Sequence, residues 1–150
     1  MQAFHGIDEL KNAAGQNLGS SEWHTISQEQ VNRFADATGD HQWIHIDEEK
    51  AAAGPFGGTI AHGFLTLSLL PMLTSEIYHL KGVKMGINYG CNKVRFPSAL
   101  RVSTRVRANA ELLGVDANSL GFLVTMRVTI EAEGGDKPVC VAETLAVVVP

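Results

Sequence analysis

The sequence predicts an α+β fold, a single domain spanning residues 1–150 in which a long buried helix packs on an antiparallel β-sheet. Three observations predict it. A chain of 150 residues that is 45% hydrophobic and 19% charged has the size and composition of one globular domain with a core of its own. Helical signals fall within residues 1–90, and one stretch from Phe64 to Leu80 is apolar on nearly every side, as a helix inside a protein is. Within residues 91–150 the pattern changes to strict alternation, as in half-buried antiparallel strands.

Each element has a local reason. Trp23-His24-Thr25 ends an early extended stretch. Ser27 opens a helix, with Gln30 completing a capping box and Ile26 and Val31 forming a hydrophobic staple around it. Val31, Phe34 and Ala35 give that helix one apolar face, and Gly39 stops it. Asp47 caps a second short helix, Glu48 to Ala53, which Gly54-Pro55 ends. Gly57-Gly58-Thr59 is a loop, and the long helix starts near Ala61, with a kink or bend expected at Pro71. Gly86 to Phe96 reads as a less regular strand. Val102 to Ala110 and Phe122 to Ile130 alternate cleanly, and Val139 to Val149 is β-branched on both faces. Gly134 to Lys137 supplies the last turn. Such a sheet leaves an edge to manage, and pairing with a second copy is the usual solution, so a homodimer is expected.

Charge narrows the function classes. There are 12 Lys and Arg against 16 Asp and Glu, a net charge of -4, which argues against a nucleic-acid partner. The acidity is uneven: residues 1–90 carry 5 basic and 10 acidic side chains, residues 91–150 carry 7 and 6. A phosphate-bearing ligand is therefore still compatible with the sheet half. Cys91 and Cys140 form neither a disulfide framework nor a four-ligand zinc site, and read as core thiols in a reducing compartment. The apolar run from Ile60 to Leu73 is shorter than the roughly 20 residues of a membrane span, and the first residues show no signal peptide. A cytoplasmic protein without a membrane partner is the expectation.

The chemistry concentrates in two clusters. Asp40 leaves a helix-ending glycine at a turn, and His45 follows five residues later in what reads as an extended loop. A carboxylate and an imidazole so spaced can converge on one small molecule, such as a water. The second cluster, Gly57 to Phe64, precedes the buried helix, whose first N–H groups have no partners within it and can hold an oxyanion. Gly63 would let a ligand approach that backbone closely. His62 reads as a cap or an orienting hydrogen bond. His41, His45 and Asp47 are all metal-ligand types, but with no cysteine nearby no metal is expected. Of the basic residues Lys93, Arg95, Arg101, Arg105 and Arg107, most read as the polar face of a sheet.

Phe34 to His45 together with Gly58 to Gly63 resembles the MaoC-like hydratases, specifically the (R)-specific enoyl-CoA hydratases of the hot-dog fold. That family carries an aromatic residue, Gly-Asp, Asn-Pro, an aliphatic residue and His, followed later by an Ile/Val-Ala/Val-His-Gly segment. Here Gly39-Asp40, Ile44-His45 and Ile60-Ala61-His62-Gly63 match, whereas Gln42-Trp43 stands where Asn-Pro is usual. Lys93-Val94-Arg95-Phe96-Pro97 also looks like the family's strand after its central helix. The resemblance implies reversible addition of water to a trans-2-enoyl-CoA, giving the (R)-3-hydroxyacyl-CoA, with no cofactor beyond the coenzyme A of the substrate. It implies that Asp40 and His45 hold the water and that the Gly63 N–H steadies the enolate oxygen. Trp43 is then read as an acyl-pocket wall or a packing residue, and Arg95 and Arg105 as candidates for the coenzyme A phosphates. Two other readings fit the same fold: an acyl-CoA thioesterase, and a binding module that holds acyl-CoA without turnover.

Overall fold

Alternation in the second half of the chain builds the sheet on which everything else is hung. The architecture is that of a computed structural model describing residues 1–150. Strand β1 (Gln2–His5), helix α1 (Ile7–Asn12), β2 (Asn17–Ser20) and β3 (His24–Thr25) come first, then α2 (Gln28–Thr38), α3 (Trp43–Ile46) and α4 (Glu48–Ala52). Helices α5 (Gly63–Ser68) and α6 (Leu70–Ser75) follow, then β4 (Tyr78–Lys81), β5 (Met85–Arg95), β6 (Arg105–Asn118), β7 (Gly121–Ala132) and β8 (Cys140–Val149).

The main sheet has the order β2-β6-β7-β8-β5, with β3 also paired to β6, and all its ladders are antiparallel. Its inner face is the alternating set Val106, Ala108, Ala110 and Leu112 on β6 with Val124, Met126, Val128 and Ile130 on β7. The small Ala108 and Ala110 let a helix approach closely, and α6 packs there while α5 packs on β8. Leu65, Leu69, Leu70 and Leu73 fill the interface. Burying each contributes roughly 1.5–3 kcal/mol.

Five expectations change. The long helix is two short ones: Leu69 N–H donates to the carbonyls of both Leu65 and Thr66, and Pro71 falls in the first turn of α6, where its missing N–H costs nothing. The helical segment also ends at Ser75. Ile77 and Leu80 fit a helical period, but Tyr78 to Lys81 instead form β4, pairing in parallel with the unforeseen β1. Nor is the helix buried all round, since Phe64 is 69% and Met72 42% exposed. Finally, the strand expected from Val102 begins at Arg105. The segment before it turns, with Ser103 at φ 71° and its N–H on the Ile26 carbonyl. Of the two expected core thiols, Cys140 is buried and Cys91 exposed. Burial raises the Cys140 thiol to about 11.

The caps read at the starts of α2 and α4 and at the end of α2 form, although only the Ser27 half of the expected capping box is made and α4 ends at Ala52. Ser27 accepts from Gln30 N–H, Gly39 takes the left-handed C-cap position at φ 80°, and Asp47 accepts from Lys50 N–H. These caps aim the segment between them, residues 39–47, at the start of α5.

Candidate active site

Asp40 sits directly after the Gly39 cap. Its Oδ1 accepts from Gln42 N–H at 3.3 Å, and its own N–H reaches Thr38 Oγ1 at 3.5 Å. The chain then makes a single helical turn, α3, so His45 lies on a helix and not in an extended loop. Backbone bonds from His45 N–H to the Gln42 carbonyl and from Asp47 N–H to the Trp43 carbonyl close that turn. Trp43 occupies its first helical position, where a proline would also fit, so the departure from Asn-Pro leaves the turn intact.

The turn points His45 inward, where it is only 6% exposed. Its Nδ1 lies 2.7 Å from the Ile60 carbonyl. A carbonyl only accepts, so Nδ1 carries the hydrogen and Nε2 presents a lone pair. Burial pushes His45 below the usual imidazole range, its bond to Ile60 opposes the shift, and neighbouring His62 adds to it. The His62 ring stacks on His45 at 3.8 Å between centroids and meets Phe34 on the other contact at 4.9 Å. His62 Nε2 donates to the Asp40 carbonyl at 2.9 Å, and its Nδ1 is buried without a partner. His62 therefore ties the Asp40 turn to the start of α5.

Donor or acceptor atoms of Asp40, His45 and His62 all lie within 4.8 Å of one another. That separation suits one water bridging Asp40 and His45, because two hydrogen bonds of about 2.8 Å span it. Both groups are acceptors, so a water there donates both hydrogens and leaves an oxygen lone pair for attack. The same three residues fit a metal ion poorly. The two imidazoles are stacked at 25° between planes, so their in-plane lone pairs do not converge on one ion about 2 Å from each.

A cavity of about 240 Å³ opens beside His45, lined by Ile60, Gly63, Thr66, Phe96, Ser98 and Leu100 among others. Gly63 heads α5, where the N–H groups have no acceptor within the helix. A Cβ at Gly63 would stand 3.0 Å from the Phe96 ring, so only glycine fits without displacing it.

The other expected residues lie apart from this cavity. Trp43 packs on Gly54, with the Lys50 ammonium 4.7 Å from its ring, and does not line the cavity. Arg105 is engaged with Glu133 at the start of β6 through Nε and one terminal nitrogen. Arg95 is exposed, donates to the Val94 carbonyl, and adjoins Phe96. Sequence reasoning missed Phe96 as a lining residue, and it missed Gln28 and Thr59. Gln28 Nε2 donates to the His45 carbonyl and Thr59 Oγ1 donates to Gln28 Oε1. These contacts span 17 and 31 residues, and no local spacing marks them.

A MaoC-like domain matches residues 9–135, and the chain belongs to that family. It is a hydro-lyase with the hot-dog fold. It is 57% identical over 146 residues, 97% of either chain, to 3-hydroxyacyl-thioester dehydratase Z of Mycobacterium tuberculosis. It is 44% identical over 144 residues to nodulation protein N of Rhizobium meliloti, covering 94% of this chain and 89% of that one. The solved (R)-hydratase from A. caviae, involved in PHA biosynthesis, superposes with a TM-score of 0.74 at 24% identity, over 91% of this chain and 96% of that one.

Proposed function

We propose that the protein catalyses reversible hydration of trans-2-enoyl-CoA to (R)-3-hydroxyacyl-CoA. The observation that carries this reading is the pair of acceptors, Asp40 and His45, beside a cavity headed by Gly63. Water donates to both members of the pair. As its oxygen bonds the β-carbon, one proton passes to the pair, and the α-carbon takes a proton from the pair in turn. Negative charge meanwhile grows on the thioester oxygen. The Gly63 N–H stabilises that oxygen most in the transition state, which is what accelerates the step. The 57% relative, whose name describes a 3-hydroxyacyl-thioester dehydratase, supports the substrate class.

A larger apolar cavity of about 760 Å³ between α5–α6 and strands β5, β7 and β8 has room for an acyl chain. Arg95, exposed and without an acidic partner, is the stronger candidate for a coenzyme A phosphate, because Arg105 is committed to Glu133. The working unit is a homodimer joined at β5, and its place is the cytoplasm, which suits two free cysteines. No helix is long and apolar enough to cross a membrane.

Asp40→Asn and His45→Gln test the reading. Each should lower hydration of crotonyl-CoA by on the order of 10²–10⁴ while the fold is kept. Full activity in both variants would remove the pair from the mechanism.

A further inference from the structure

We infer that Gln28 and Thr59 are positioning residues that hold His45 in its working tautomer. The inference rests on the reading of His45 as a proton acceptor. Gln28 is the first residue of α2, immediately after the Ser27 cap. Its amide bridges three groups: Nε2 donates to the His45 carbonyl at 2.7 Å and to Asn32 Oδ1 at 2.9 Å, while Oε1 accepts from Thr59 Oγ1 at 2.6 Å. The His45 carbonyl can only accept, so the NH₂ end must face it and the oxygen must face Thr59. Both amide hydrogens and the oxygen are used.

Thr59 precedes Ile60, whose carbonyl fixes the hydrogen on His45 Nδ1. Segments 44–45 and 59–60 are already tied by that bond and by Ile60 N–H donating to the Ile44 carbonyl at 3.0 Å. Gln28 adds a tie from a third element, running through the hydroxyl of Thr59, a residue that is 7% exposed. The same helix ends at Gly39, directly before Asp40. One rigid rod therefore locates both members of the pair: Asp40 by the chain itself, and His45 by the Gln28 amide at the opposite end. Without that tie the Nδ1–H bond to Ile60 has less to hold it. The hydrogen is then free to occupy Nε2, the nitrogen that must accept from water.

Gln28→Met, nearly isosteric but unable to make these bonds, is the main test, with Thr59→Val and Thr59→Ser beside it. In the imidazole ¹⁵N spectrum of the free protein, His45 should be a single Nδ1–H tautomer in wild type. It should become a tautomer average in Gln28→Met and Thr59→Val, and return to the wild-type pattern in Thr59→Ser. With crotonyl-CoA, kcat should fall about 10-fold or more in the first two variants with KM within about twofold. Gln28→Met with unchanged His45 ¹⁵N shifts overturns the inference, and should that variant not fold, unchanged shifts in Thr59→Val do so. The spectrum requires no substrate. Wild-type protein that fails to hydrate enoyl-CoA would therefore count against the proposed activity alone, while the tautomer comparison still decides the role of Gln28.

Discussion

Burial disfavours the protonated form of His45, and the Ile60 carbonyl fixes which nitrogen carries the hydrogen of the neutral ring. The consequence for pH follows from the direction of the shift. A histidine held below 6.5 in the folded state stays neutral to lower pH than it does in the unfolded chain. Its contribution to stability is complete above about pH 6.5 and is lost as acid protonates the unfolded chain preferentially. The acid limb of kcat/KM should accordingly have its midpoint below about 6.5 if it reports His45. A pH-rate profile measured over a range where the protein remains folded checks this, and a midpoint above that value would argue against a buried neutral His45. Asp40, His45, His62 and Gly63 stood out in the sequence because each lies in a short segment that has its own cap or glycine and resembles the family's motif, and the fold brings side-chain atoms of the first three within 4.8 Å of one another. Trp43 was harder to place. An indole serves a pocket or a packing contact equally well, and only the fold shows it lying on Gly54.

Among the elements, the α5–α6 rod divides its work along its length. Gly63 and Thr66 line the cavity beside His45, whereas Leu67, Ser68, Pro71 and Thr74 line the larger apolar one. The central helical segment was legible from its apolar character. Its length was not, because Ile77 and Leu80 satisfy a helical period while Tyr78 and Leu80 also alternate with His79 and Lys81. Pairing with β1 decides between the two, and that contact joins positions more than 70 residues apart in the chain. If the larger cavity takes the acyl chain, Thr74→Trp should lower kcat/KM for long-chain relative to four-carbon enoyl-CoA by about 10-fold or more. Steady-state kinetics across chain lengths measure that ratio, and equal losses at every length would place the acyl chain elsewhere.

At the level of the whole molecule, the sheet ends on β5, an 11-residue strand exposed along nearly all its length. Met85, Ile87, Tyr89, Phe64 and Phe96 are all at least 40% exposed on or near it. An open edge flanked by apolar side chains is a surface that pairing would cover. The expectation of an edge came from strand alternation, but which strand forms it depends on sheet order, which alternation does not encode. Sedimentation equilibrium should give twice the chain mass for wild type and a shift toward monomer for Ile87→Lys with Tyr89→Lys. A monomeric wild type would refute the assembly.

The most direct test of the central claim is to incubate the purified protein with trans-2-enoyl-CoA and identify the product. The account predicts loss of the conjugated enoyl group with the thioester intact, and a product oxidised by an (R)-specific but not an (S)-specific 3-hydroxyacyl-CoA dehydrogenase. Release of free coenzyme A thiol without hydration, binding without turnover, or an (S)-product would contradict it.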